Sequence, residues 1–150
     1  AEKEELDLTA LLKDCIRQFN NRFPERIFVE DIEYDTDIKG DSLLLQMLIN
    51  NLLENATKYS PRESPISTIL KRTKVGIELQ IKDQGIGIEE TEKAKIFNKF
   101  YRIGSEATRK TKGTGLGLYL CRKIARDHNG DITMTKNEPQ GSIFAVTFKS

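Results

Sequence analysis

The sequence predicts an α+β domain, a two-layer α/β sandwich in which a mixed sheet of about five strands is covered on one face by about three helices. Apolar residues recur at three- and four-residue intervals in three stretches, at 7–21, at 43–60 and behind Gly117, while alternating β-rich stretches lie between and after them. The two kinds come in mixed order, without the regular alternation of a doubly wound sheet. At 150 residues and 37% hydrophobic content, the chain fits one domain with a core of its own.

Leu8, Leu11, Leu12, Cys15, Ile16 and Phe19 share a helical face, which places the first helix at 7–21 with Asp7 or Thr9 as its cap. Residues 26–32 alternate around Ile27 and Val29 and read as a strand; a short extended piece at 36–38 ends at Gly40. Asp41 is the expected N-cap of the central helix, which Pro61 and Pro65 bound on the far side. Residues 66–73 and 76–83 form a strand pair across a tight turn at 74–76. A short charged helix is expected at 89–96, and 102–112 reads as a flexible polar loop. The helix behind Gly113, Gly115 and Gly117 carries Leu120, Ile124 and Ala125 and ends on an Asn129-Gly130 cap. Residues 132–136 and 142–148 close the chain as a hairpin.

Lys and Arg number 24 against 23 acidic residues, a net charge of +1, so bulk electrostatics call for neither nucleic acid nor an anionic membrane. No apolar run approaches the ~20 residues that span a bilayer, and the acidic start is unlike a signal peptide. The expectation is a soluble, cytoplasmic domain without direct membrane contact. Cys15 and Cys121 lie among apolar residues and are expected as buried free thiols. His128 has no Cys or His at zinc spacing, which leaves it a capping or packing role.

The chemistry begins on the central helix. Asn51, Asn55, Lys58 and Tyr59 fall on one side, while Leu44, Leu45, Leu48, Leu52 and Leu53 face a core. Two carboxamides a turn apart need partners in protein, water, a ligand or a metal, and an internally satisfied polar pair is as good a reading as a site. Glu54 reads equally as a proton-handling or water-orienting acid and as a surface acid. Asp83 ends an apolar strand before Gly85 and Gly87, so a flat ligand can approach it, although the same pattern is also a turn with an Asx hydrogen bond. Gly113, Gly115 and Gly117 open a helix whose free N–H groups and dipole favour phosphate. Neither a P-loop nor a dinucleotide fingerprint is present. Arg102, Arg109, Lys110 and Lys112 lie where a triphosphate would need countercharge, or form a solvated basic loop.

Four motifs follow one another: Asn-Asn-Leu-Leu-Glu-Asn-Ala-Thr-Lys-Tyr, Asp-Gln-Gly-Ile-Gly-Ile, Ile-Phe-Asn-Lys-Phe-Tyr-Arg and Lys-Gly-Thr-Gly-Leu-Gly-Leu. Together they resemble the catalytic ATP-binding domain of bacterial sensor histidine kinases, in the Bergerat-fold superfamily with gyrase and MutL. The resemblance covers nearly the whole chain. It implies that Asn51, Asn55, Lys58 and Tyr59 meet phosphates, magnesium and nucleotide, with Asn55 the metal ligand. Asp83 would accept from the adenine amino group, beside Gly85, Gly87 and Ile88. The phenylalanine box supplies Phe97, Tyr101 and Arg102; Lys112, Gly113, Thr114, Gly115, Leu116, Gly117 and Leu118 would hold the triphosphate behind an ATP lid at about 102–113. Asn51, Glu54, Lys58 and Arg102 are the implied catalytic positions. In hydrolysing relatives a catalytic Glu stands where this chain has Asn51, which favours transfer to a protein over hydrolysis. The implied activity is that of a protein-histidine kinase using ATP and Mg2+, with a monomeric catalytic domain. Its implied partners are a helical dimerisation domain, carrying a phospho-accepting histidine absent here, and a downstream response regulator.

Overall fold

The structure, a computed structural model, describes residues 3–101 and 117–150. Asp7 caps α1 (Leu8–Arg22) by accepting from the Ala10 N–H, and Leu8, Leu12, Cys15, Ile16 and Phe19 carry the apolar stripe into the core. Thr9, the alternative cap, instead donates to the Glu33 carbonyl at 2.6 Å and accepts no helix N–H; its own N–H reaches the Thr36 hydroxyl. Ahead of α1, Glu4–Asp7 forms β1, paired antiparallel with β3 (Asp37–Gly40) as a separate two-stranded sheet. No periodicity marks β1, because an EELD sequence is held by backbone pairing rather than by an apolar face.

The main sheet has the order β2 (Phe28–Ile32), β4 (Ile66–Arg72), β5 (Gly76–Lys82), β7 (Ser142–Lys149), β6 (Gly130–Lys136). β2 runs parallel to β4 and the other neighbours are antiparallel, so the expected mixed five-stranded sheet is present. Register decides which face is inside. Thr68, Ile81, Phe144 and Met134 are cross-strand partners and all are buried, as are Leu70, Leu79, Val146 and Ile132. One residue along, Ile69, Gln80, Ala145 and Thr133 are half-buried or exposed on the other face. Ile27, just ahead of β2, and Val29 within it belong to the open face, at 55% and 47% exposure; Phe28 and Ile32 pack on the core.

Asp41 caps α2 (Ser42–Tyr59) through the Leu44 N–H, as its position predicts. The charged helix expected at 89–96 is regular only over α3 (Glu90–Lys93); turns then carry the buried Ile96 and Phe97 into the core. α4 (Gly117–Asp127) lies antiparallel to α2. Three contacts fix this: His128 meets Asp41, the Cys121 thiol donates to the Leu48 carbonyl at 3.7 Å, and Gly117 lies beside Asn51. Cys15 and Cys121 are free and buried, and burial pushes their thiols up to about 11 and about 12, so both stay protonated and inert at neutral pH. No helix among the described residues is long and apolar enough to cross a membrane.

His128 has a defined structural part. The Asp41 N–H donates to Nε2 at 3.0 Å, so the ring proton sits on Nδ1, 2.8 Å from the Ile124 carbonyl that accepts it. The ring ties the last turn of α4 to the first turn of α2 and is 6% exposed. Asn129 follows at φ 59 as the helix cap. His128→Ala leaves a cavity and an unsatisfied Asp41 N–H, and is expected to cost about 2–3 kcal/mol in urea unfolding.

Candidate functional site

The apolar side of α2, with Leu45, Leu48, Leu52, Leu53 and Ala56 buried, is committed to the core. This rotates Asn51, Asn55 and Tyr59 onto a half-buried flank. There Asn55 and Tyr59 meet Asp83, Gly87 and Ile88 from the loop after β5, and Ser142 and Phe144 from β7, around one cavity. Five of the residues singled out in the sequence thus share one wall-to-wall space at the end of β5.

Asp83 is the carboxylate among the described lining residues, and it is 5% exposed. Its Oδ1 accepts the Gly85 N–H at 2.9 Å and the Ser142 N–H at 3.3 Å, which leaves Oδ2 without a backbone donor among the described residues. Burial pushes the Asp83 carboxyl above the ordinary carboxylate range, against the opposing pull of the Gly85 and Ser142 N–H groups and of Arg26. Gly85 stands behind this arrangement rather than in the cavity: a Cβ there would lie 2.0 Å from the Tyr59 carbonyl oxygen. Only glycine lets the loop press on the last turn of α2.

The antiparallel packing of α4 on α2 directs the N-terminal end of α4 toward the Asn51 flank. Asn51 Oδ1 lies 3.7 Å from the place a Gly117 Cβ would occupy. Leu118, by contrast, is buried in the core. Phe97 also packs inward, perpendicular to the Phe144 ring with centroids 6.4 Å apart and with the Arg122 guanidinium 4.3 Å from its own ring centroid; it backs the cavity wall without lining it. The Tyr101 hydroxyl donates to Glu92. Glu54 pairs with Arg22 at 3.4 Å across to α1, and with the exposed Lys58 borders a different hollow near Arg26 and Arg62. Arg102, Lys112, Gly113, Thr114, Gly115 and Leu116, and with them the lid expected at about 102–113, lie outside the described residues.

Two lining residues were not singled out from the sequence. Ser142 and Phe144 read only as part of a closing strand, and it is the pairing of Lys82 with Ile143 that brings them to Asp83. The signal present was the Gly-Ser step that opens that strand. A larger cleft at the other end of the sheet, between Ile38, Ile77, Phe148 and Lys39, contains none of the residues singled out for the nucleotide, so size does not select the site.

For a metal, the described residues contain no group of three His, Cys, Asp or Glu side chains. The cavity offers the neutral carboxamide of Asn55. A carboxamide oxygen is a donor of the kind a hard cation accepts, and one such donor would leave the other ligands to come from outside the described residues.

Sheet and helices define the class: an α+β domain with a mixed five-stranded sheet. The sequence model of the histidine kinase-, DNA gyrase B-, and HSP90-like ATPases matches residues 40–150, and the chain belongs to that family. It is 37% identical over 121 residues to the sensor protein CiaH of Streptococcus pneumoniae, covering 81% of this chain and 27% of that protein. It is 36% identical over 147 residues to the adaptive-response sensory kinase SasA of Rippkaea orientalis, covering 95% of this chain and 37% of that one. The chain therefore spans about a third of the length of these relatives. Among solved structures it is similar to the catalytic domain of histidine kinase ThkA, with a TM-score of 0.87 and 26% identity over 99% of this chain and 98% of that one. A mycobacterial sensor histidine kinase, MprB, gives a TM-score of 0.86 and 26% identity over 98% and 97%.

Proposed function

We propose that this chain binds Mg-ATP in the cavity at Asp83 and donates the γ-phosphate to a histidine on a separate helical dimerisation domain of a two-component sensor kinase, upstream of a response regulator. One observation carries the reading: a buried carboxylate with one oxygen held by two backbone N–H groups and the other left for a donor in the cavity. An exocyclic amine is such a donor. Asn55, on the same wall, holds magnesium, which neutralises charge on the bound phosphates. The remaining work is positioning. Lys58, Arg102 and the backbone amides from Gly113 to Leu118 cradle the phosphates, and Asn51, beside the start of α4, orients them. A carboxamide cannot take a proton from water, so Asn51 supports transfer to a protein acceptor over hydrolysis.

Asn55→Ala tests the metal assignment. The side chain is half-buried at the cavity wall, so the fold is expected to survive while most of the magnesium dependence of ATP binding disappears. Calorimetric titration with and without magnesium reads this; an unfolded variant, or an unchanged metal response, would remove Asn55 from the site.

The raised Asp83 pKa gives a pH dependence of known sign. An amine donor favours the ionised carboxyl, so binding pulls the pKa back down. ADP affinity is then flat above the pKa of the free protein and falls as pH drops through it. Titrations at descending pH are expected to show that fall in the wild type and none in Asp83→Asn.

A further inference from the structure

Asp83 sits just past the end of β5, in a loop with no regular structure, yet its N–H, its carbonyl and its Oδ1 are each bonded to the β6–β7 hairpin. Its N–H donates to the Ser142 carbonyl at 3.0 Å, and its Oδ1 accepts from the Ser142 N–H. The Asn137 side-chain amide donates to the Asp83 carbonyl at 2.8 Å, and the Gln140 amide donates to the next carbonyl, that of Gln84, at 3.0 Å. The Asn137 side chain is itself oriented, because its Oδ1 accepts the Glu138 N–H at 2.9 Å while its backbone N–H bonds the Gly141 carbonyl. Gly141, at φ +112, lets the two backbones touch; a Cβ there would lie 1.9 Å from the Asp83 oxygen.

We infer that Asn137 and Gln140, in the turn between β6 and β7, are positioning residues for base recognition: they clamp the two peptide planes that aim the Asp83 carboxylate into the cavity. The inference rests on the reading of Asp83 as the acceptor for an exocyclic amine. Neither residue lines the cavity among the described residues. Their effect passes through the orientation of Asp83, and therefore falls on discrimination between bases rather than on phosphate binding. A carboxylate held at one angle accepts from a 6-amino group and repels a 6-oxo group; a carboxylate free to swing does both less well.

The test compares ADP with IDP, which differ only at the purine, by calorimetry on the wild type, Asn137→Ala, Gln140→Ala and Gln140→Lys. Because both nucleotides carry the same phosphates, the ratio of their affinities isolates the base. The wild type is expected to prefer ADP by at least about tenfold. Asn137→Ala is expected to reduce that ratio about fivefold and Gln140→Ala about two- to threefold, while Gln140→Lys, which restores a donor to the Gln84 carbonyl, recovers it. Gln140 is exposed, so its variants keep the fold and decide the matter even where Asn137→Ala does not fold. Equal ADP and IDP affinity in the wild type would overturn the Asp83 reading and the clamp with it. A wild type that discriminates, beside variants that keep the full ratio or lose both nucleotides equally, would overturn the clamp alone.

Discussion

Asp83→Asn is expected to fold as well as the wild type and to lose adenine-nucleotide affinity by about ten- to a hundredfold, equivalent to 1–3 kcal/mol for one mismatched buried group. The geometry explains why so small a change is so selective. In the variant the carboxamide oxygen keeps the place of Oδ1, because the Gly85 and Ser142 N–H groups both point at it. The amide nitrogen then takes the place of Oδ2 and faces the amine of the base, donor against donor. Stability moves the other way. A buried acid whose folded pKa lies above its unfolded value costs the fold as pH rises from the unfolded pKa through the folded one, and the full cost is present once pH exceeds the folded pKa. Asn carries no such cost, so the variant is expected to be equal to or more stable than the wild type above that window and to lose its advantage below it. Parallel nucleotide titration and urea unfolding separate the two effects; retained affinity in a folded variant would sink the assignment of Asp83.

Gly85→Ala is expected to have the second large effect, of a different kind. A methyl group placed 2.0 Å from the Tyr59 carbonyl oxygen meets backbone, which cannot swing aside as a side chain would. The loop must lift from α2, and it takes with it the N–H that orients Asp83. Loss of about 1–3 kcal/mol of stability is expected, together with nucleotide affinity at least as low as in Asp83→Asn, because the acceptor and the adjacent wall move together. A variant with unchanged melting and unchanged affinity would show that the loop does not depend on this contact.

Where the sequence was legible, it was so because local chemistry and global packing agree. Asp41 before an apolar helical period caps α2 as its position implies, and the split of Leu48 and Leu52 from Asn55 and Tyr59 is the split between core and cavity. Asp83 was legible as a strand-ending carboxylate next to glycines. The turn reading is met, because the Asx bond to Gly85 uses one oxygen, and it leaves the other for the proposed ligand. What escaped was set by pairing at long range. β1 depends on the backbone of β3, not on its own acidic residues. Ile27 and Val29 have the period of a strand but lie on the face no helix covers, and period alone does not say which face that is. Ser142 and Asn137 reach Asp83 only because β7 lies beside β5, with more than fifty residues of chain between the partners.

The central claim, that the chain is the phosphate donor and the acceptor histidine lies elsewhere, is tested by incubation with γ-labelled ATP. His128 is 6% exposed, and both its ring nitrogens are hydrogen-bonded within the fold. It also stands beyond the C-terminal end of α4, whose 11 residues at 1.5 Å rise put it roughly 16 Å from the end proposed to hold phosphate. In-line transfer within one molecule requires near-attack contact of about 3–3.5 Å. The wild-type chain alone is therefore expected to bind ATP and remain unlabelled. Adding the helical domain with a histidine followed by an acidic residue should give acid-labile label on that domain, and Asn55→Ala should abolish it. Acid-labile label on the isolated chain, lost in His128→Ala, would contradict the claim.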